Sequence, residues 1–281
     1  MGFEAGVPYV MPIHDLLQRV FPEFSETRAD GAWESREYCF RNAVGTARQI
    51  FVDSETSKRD LAAIYGASGD RITVLPFVPS FRNEDIRPSD LQAVRAKYRL
   101  PDRYFFYPAQ FWKHKNHVRL VRALRAVAAD HPEVRLILCG SKQNGYEEFR
   151  RELSRTGMEG HVRDLGYVPD EDLVPLFAGA TALVMPTFNG PINIPILEAF
   201  SLGVPVLTSH LRGIREHVGN AALAVDPRDE RAIADGMKTL WTNEPLRRSL
   251  ARRGRDRLVQ NTEEHFTRTL LEALERALKG R

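Results

Sequence analysis

Residues 186–206 read Pro186-Thr187-Phe188-Asn189-Gly190-Pro191-Ile192-Asn193-Ile194-Pro195-Ile196-Leu197-Glu198-Ala199-Phe200-Ser201-Leu202-Gly203-Val204-Pro205-Val206. An apolar strand over 181–186 runs into this stretch, a Gly/Pro-rich turn follows, and a helix over 195–202 begins near Pro195. Proline suits the first turn of a helix because the N–H it lacks has no partner there. The turn therefore aims the backbone N–H groups of Asn193 and Ile194 outward at the positive end of the helix dipole, a setting made for a phosphate. Glu198 lies about one turn further on, where a carboxylate can accept two hydroxyls of a sugar or ribose. The plainer alternative is a chain reversal with Glu198 as a surface acid. Gly203 and a strand over 204–208 complete a strand–turn–helix–strand unit, which argues for a parallel sheet covered by helices.

Moving outward, the same alternation holds on both sides. Strands are expected over 104–107, 134–139 and 162–168, with helices over 116–129, 145–156 and 170–178 and a last helical series from Glu230. Val118, Val121, Leu124 and Val127 repeat at helical spacing. This second block makes a complete doubly wound domain. The first block offers three strands only, over 9–13, 49–53 and 71–76. Between them lie a helix over 33–47, marked by Trp33, Tyr38, Phe40 and Val44, and one capped by Ser54 and ended by Gly66. A freestanding Rossmann-like domain has about six strands, so the first block reads as half a domain. The polar, proline-containing stretch 79–88 is the linker. The expected division is a partial Rossmann-like domain over 1–82, a complete one over 83–262 and a last helix over 263–281.

Composition narrows the function. At roughly 150 residues per domain, 281 residues suit about two domains. Hydrophobic residues at 43% and charged ones at 27% exclude intrinsic disorder. Forty Lys and Arg stand against 37 Asp and Glu, a balance unsuited to neutralising a phosphate backbone, so no nucleic-acid partner is expected. Cys39 and Cys139 each sit in apolar surroundings and form neither a disulfide framework nor a zinc site. The start shows no basic segment followed by an apolar one, and no apolar run approaches the ~20 residues of a membrane span. A cytoplasmic chain is expected, with peripheral contact at the inner membrane face left open. Arg247, Arg248, Arg252, Arg253, Arg255 and Arg257 cluster on an amphipathic helix, which is either a solvated face or a contact for an anionic membrane or acidic partner. His114 and His117 stand three apart without a third ligand at a recognisable spacing, so no metal is expected.

The 186–206 segment resembles the Glu-x7-Glu region of family 4 (group 1) glycosyltransferases, retaining enzymes of the GT-B fold, which usually reads Glu-Gly-Phe-Gly-x-Pro-x-x-Glu-Ala. Glu198 matches the second glutamate, which the resemblance assigns to the donor ribose. The first glutamate, a donor-sugar contact, would fall at Gly190 and is absent; the run from Gly190 to Pro195 resembles a variant branch. Tyr107 to His117 resembles the segment whose Arg and Lys bind the diphosphate, with Lys115 as the lysine and Gln110 in the arginine's place. Gly140 matches a strand-end glycine, and Leu165-Gly166-Tyr167-Val168 the segment whose backbone clasps the nucleotide base. Ser209 to Glu216 matches a further run of the family. In the first block, Ile13-His14-Asp15 resembles a strand-end His-Asp whose histidine faces the donor sugar, with Asp15 as a cap or orienting group.

The expectation is thus a GT-B-like α/β enzyme, with His14, Lys115 and Glu198 as its catalytic residues. The nucleotide sugar would contact Gln110, Lys115, Gly140, Tyr167, Val168, Gly190, Asn193, Ile194 and Glu198. The resemblance implies a hexosyl transfer from a nucleotide-diphosphate sugar to a carbohydrate or lipid-linked glycan, without a metal or other cofactor, in glycan or polysaccharide synthesis. It also implies that the last helix crosses back to the first domain. The rival expectation is a donor-binding fragment, catalytically incomplete, whose exposed half-sheet edge is covered by a second copy, a partner chain or a missing N-terminal half.

Overall fold

The computed structural model describes residues 2–4, 6–82, 86–190 and 193–279. The expected boundary after residue 82 abuts residues outside this set, and so do Pro191 and Ile192 of the variant turn. Three parallel strands, β1 (Val10–Pro12), β2 (Gln49–Val52) and β3 (Ile72–Val74), form the first sheet in the order β1-β2-β3. Helices α1 (Leu17–Val20) and α2 (Ala32–Thr46) connect the first pair, and α3 (Glu55–Tyr65) the second. The ends of α3 follow from local chemistry. Ser54 accepts the Ser57 N–H through its side chain, and Gly66, at φ 70°, closes the last turn by donating to the Ala62 carbonyl. Ile13, Phe40, Val44, Ile50, Val52, Leu61 and Ile72 make a core belonging to this half alone.

The second sheet has six parallel strands, β4 (Phe105–Pro108), β5 (Leu136–Cys139), β6 (Val162–Asp164), β7 (Ala182–Met185), β8 (Val206–Ser209) and β9 (Leu223–Val225). Their order is β6-β5-β4-β7-β8-β9. Strands β5, β7 and β8 are buried along their whole length; β5 and β7 are unbroken apolar runs covered on both faces, and in β8 the Thr208 and Ser209 hydroxyls donate to the Met185 and Thr187 carbonyls. Helices α4 (Pro88–Lys97), α5 (His117–Asp130), α6 (Tyr146–Thr156), α7 (Asp170–Ala178), α8 (Ile194–Ser201), α9 (Arg212–Val218) and α10 (Glu230–Thr242) cover them. Strand order reverses between β4 and β7. In open α/β sheets the crevice beyond the strand ends at such a reversal is where ligands bind.

Several expectations need correction. The strand expected over 162–168 stops at Asp164, whose carboxylate takes the Gly166 N–H at 2.9 Å while Gly166 turns at φ 67°. The stretch 79–88 is not linker to its end, because Pro88 opens α4. That helix packs on α7, with Lys97 and Tyr98 both bonded to Asp172 at 2.5 Å. Tyr38 faces outward instead of joining the buried stripe of Phe40 and Val44. Helix α11 (Glu244–Arg257) spends part of its basic face internally. Arg247 donates to the Leu240 and Trp241 carbonyls, Arg257 to those of Glu216 and His217, and Arg248 pairs with Glu244. Helix α12 (Glu263–Lys279) packs against β2 of the first sheet, burying Ala273, and Arg276 donates to the Thr73 hydroxyl at 3.1 Å. Among the described residues no helix is long and apolar enough to cross a membrane.

Candidate active site

A cleft of about 500 Å³ opens between the two halves at the reversal of strand order, where β4 and β7 end. His14, Asp15, Glu26, Arg36 and Asp53 line it from the first half, and Gln110, Lys115, Asn189, Gly190, Asn193 and Ile194 from the second. Of the residues singled out in the sequence, His14, Gln110, Lys115, Gly190, Asn193 and Ile194 therefore come together.

On the first wall, His14 Nδ1 lies 3.0 Å from Asp53 Oδ1. The register explains the pairing. Pro12 stands opposite Phe51, and Ile13 donates to the Phe51 carbonyl, so His14 and Asp53 leave their strands side by side. Of the two roles expected for Asp15, cap or orienting group, it does not orient His14. Its Oδ1 instead takes the Leu17 N–H at 2.8 Å and Arg36 at 2.6 Å. Burial pushes the Asp53 carboxyl up to about 6 against the opposing hydrogen bond of His14.

On the second wall, the chain leaves β4 through a tight turn at Lys113–Lys115 and passes Asn116 at φ 65° into α5. The Asn116 amide donates to the carbonyls of Pro186 and Pro227, both at 2.8 Å, and so ties the loop after β4 to the loop after β7. Lys115 is half-buried at the floor of the cleft, and among the described residues no carboxylate lies within 4 Å of its ammonium. Burial pushes this ammonium down to about 8, with the Asp15 charge opposing. Gln110 accepts the Trp112 indole N–H at 2.7 Å on the cleft wall. Gly190 sits at φ 116°, and its carbonyl takes the Asn193 side-chain amide at 2.8 Å. At this φ a Cβ at position 190 would be strained and would also displace the Asn193 side-chain amide, so the turn as folded disfavours the glutamate of the usual family pattern.

Four of the singled-out residues do not line this cleft. Gly140, at φ 147°, donates to the Gly166 carbonyl at 2.8 Å, and a Cβ there would strike the Ala109 carbonyl. Its role is to let the ends of β5 and β4 lie together. Val168 is buried and Tyr167 is 81% exposed, so only the tyrosine ring and the backbone are available to a ligand there. Glu198 is buried, not a surface acid, and burial with Asp170 nearby pushes its carboxyl up to about 7.

Two carboxylates join the halves: Glu26, which sequence reasoning missed, and Glu216, which it named only as the end of a family-like run. Glu26, from the turn Ser25–Thr27, accepts His114 Nδ1 at 2.8 Å, the His114 N–H at 3.1 Å and the Asn144 amide at 2.8 Å. Burial alone would raise the Glu26 carboxyl; the hydrogen bonds from His114 and Asn144 outweigh it and hold it at about 2. Burial lowers the imidazole of His114, so the pair is a carboxylate receiving an N–H from a neutral ring. Glu216 does the same at the start of α3, accepting the N–H groups of Glu55 and Thr56 at 2.7 and 2.9 Å and the Thr56 hydroxyl at 2.8 Å. His117 is buried and stacked against Tyr107 and Phe111. The chain does carry one Asp-x-Asp triplet, Asp170-Glu171-Asp172; it opens α7, where Asp172 is held by Lys97 and Tyr98. Among the described residues no three His, Cys, Asp or Glu side chains are grouped to hold a metal ion.

Two parallel α/β units with a crevice between them and the second unit's reversal at its floor define a GT-B architecture. The family model for glycosyl transferases group 1 matches residues 92–257, and the chain belongs to that family. It is 32% identical to O-antigen chain mannosyltransferase B of Escherichia coli over 201 residues, 70% of this chain and 52% of that protein. To a D-inositol 3-phosphate glycosyltransferase of Corynebacterium glutamicum it is 26% identical over 255 residues, 86% of this chain and 60% of the other. The crystal structure of Anabaena HepE in complex with UDP and glucose superposes with a TM-score of 0.83 over 98% of this chain and 73% of that one, at 20% identity. WaaG, a glycosyltransferase involved in lipopolysaccharide biosynthesis, gives 0.76 over 99% of this chain and 80% of its own, at 17% identity. These structures show the fold. The chain spans 52% and 60% of the two curated relatives.

Proposed function

We propose that this chain carries the donor site of a retaining hexosyltransferase. It would move a sugar from a nucleotide-diphosphate sugar to a carbohydrate or lipid-linked glycan acceptor in glycan or polysaccharide synthesis. One observation carries the reading: at the β4/β7 reversal an ammonium without a carboxylate neighbour among the described residues stands beside the start of α8, facing a histidine from the other sheet. A half-buried cation with only the more distant Asp15 charge to oppose its burial is costly, and an anionic ligand offsets that cost. The names of the mannosyltransferase and D-inositol 3-phosphate glycosyltransferase relatives support glycosyl transfer, and the UDP held by HepE supports a nucleotide-diphosphate donor.

In this reading the diphosphate lies against Lys115 and the Asn193 and Ile194 amides, with Gln110 where a second cation usually stands. The ribose lies on Glu198, the base near Tyr167 and Val168, and the sugar between Gly190 and His14. The glycosidic C–O bond to the diphosphate breaks while the acceptor oxygen bonds to the same carbon from the same face. The departing phosphate oxygen takes the acceptor's proton. Lys115 neutralises the charge that develops on the leaving group, and the protein acts by positioning and electrostatics without a metal.

The three-stranded first sheet favours a second reading, a donor-binding unit whose turnover needs further chain beside that sheet. A thermal-shift titration against UDP, GDP, ADP and their sugar conjugates tests the donor assignment. At a hundred times the dissociation constant, a specific nucleotide stabilises by about 2.7 kcal/mol. A selective response supports the site and names the donor class. No response to any of them refutes it.

A further inference from the structure

Beside the donor cleft lies a second cavity of about 330 Å³ between the two halves, which shares with the donor reading only the loop at Gly190. Val20, Phe21 and Ile64 wall it from the first half, and Phe188, Leu211 and Ile214 from the second. The only charged groups on its lining, Asp60 and Arg212, are paired with each other at 2.5 Å. Its α3 wall consists of positions 56, 57, 60 and 64, one face of the helix. Asn189 and Gly190 belong to this cavity and to the donor cleft at once, so the two open on the same short loop. Val20 is 48% exposed and Ile64 39%, which places two large apolar side chains in water at its walls. Apolar surface gathered in a concavity, with its charges already neutralised, is suited to an apolar ligand.

We infer that this cavity is the aglycone subsite of the acceptor, and that it takes a hydrocarbon chain attached to the hydroxyl-bearing part of the acceptor. The inference rests on the donor reading, because the shared loop at Gly190 is where that reading places the donor sugar. An acceptor hydroxyl held at this loop would reach the donor from the cavity side, while its alkyl portion lies between α3 and α9. A bare sugar would leave the apolar walls of Val20, Phe21, Ile64, Phe188, Leu211 and Ile214 uncovered.

The test uses the full chain and a series of alkyl glucosides, methyl, hexyl and octyl, titrated calorimetrically below micelle formation. Burial of each added methylene is worth about 0.8 kcal/mol, so affinity is expected to rise about fourfold per methylene until the cavity is filled. Ile64→Trp, at a partly exposed wall position, is expected to flatten that series while leaving the nucleotide response unchanged. Val20→Trp provides a second variant, on α1 of the same half, with the same expectation. Octyl glucoside binding no tighter than methyl glucoside overturns the inference, and so does a length dependence that both tryptophan variants retain. If nucleotides bind while the alkyl series is flat, the donor reading stands and the subsite falls. If the alkyl series binds while no nucleotide does, the assignment of the cavity to an acceptor is overturned together with the donor reading.

Discussion

Replacing Glu26 tests how the two walls of the cleft are held. Its side chain comes from the first half and receives three N–H groups from the second, two of them at 2.8 Å. Holding the carboxyl at about 2 instead of 4.5 is worth about 3 kcal/mol, at roughly 1.4 kcal/mol per pH unit. The sign follows from the depressed folded value. The stabilisation is fully present above the unfolded value, near 4.5, and is lost as pH falls through the folded value, near 2. At pH 7 the Glu26→Gln variant is therefore expected to be about 3 kcal/mol less stable to urea, since its amide turns a donor toward donors. About half of the difference is expected to vanish by pH 3 and nearly all by pH 2. Paired urea titrations at pH 7, 5 and 3 read it, with the wild type as reference. A difference below about 0.5 kcal/mol at pH 7, or one that stays constant down to pH 3, would refute the reasoning.

Three other substitutions bear on the site and the fold. Lys115→Ala is expected to lower donor turnover by about 10²- to 10³-fold. Because the ammonium titrates near 8, wild-type affinity for a nucleoside diphosphate should fall as pH rises through that value, and calorimetry from pH 6.5 to 9.5 reads the change. Glu198→Gln removes a buried carboxyl whose folded value is raised to about 7, so the wild type loses stability as pH rises from 4.5 toward 7. The glutamine variant should be the more stable apo protein at pH 8 in a thermal melt, yet bind nucleotide more weakly. Gly140→Ala sets a Cβ against the Ala109 carbonyl at a φ of 147°, and a loss of about 2 kcal/mol or more in urea unfolding is expected.

Much of the fold was legible because its signals are local and repeated. The Ser54 cap, the Gly66 stop and the unbroken apolar strands β5 and β7 each follow from a few neighbouring residues. Helix α9, of seven residues, and strand β9, of three, were missed because neither is long enough to show a period. Within the candidate site, Asn193 and Ile194 could be placed from the strand–turn–helix pattern alone, and Lys115 through the family resemblance of its segment. The partner of His14 could not, because Asp53 lies 39 residues away and reaches it only through the β1–β2 register. The two strand-end segments, Ile13-His14-Asp15 and Val52-Asp53-Ser54, were the available signal, and only parallel pairing aligns them. Glu26 and Glu216 were hidden for a related reason. Each looks like an ordinary surface acid in its own segment, and its donors come from the other half of the chain. Gly190 shows the converse: its departure from the usual family pattern is visible in the sequence, but the reason, contact with the Asn193 amide, needs the folded turn.

The central claim is that a nucleotide-diphosphate sugar binds at the β4/β7 crevice with its diphosphate on Lys115 and its ribose reaching beyond the cleft lining to Glu198. Its most direct test is calorimetric titration of the nucleoside diphosphate selected by the thermal-shift panel into wild type, Lys115→Ala and Glu198→Gln at pH 7. The account predicts saturable one-to-one binding to the wild type and at least a tenfold loss in each variant, since each removes a charge-assisted contact worth about 1.5–3 kcal/mol. Equal affinity for all three proteins would contradict it.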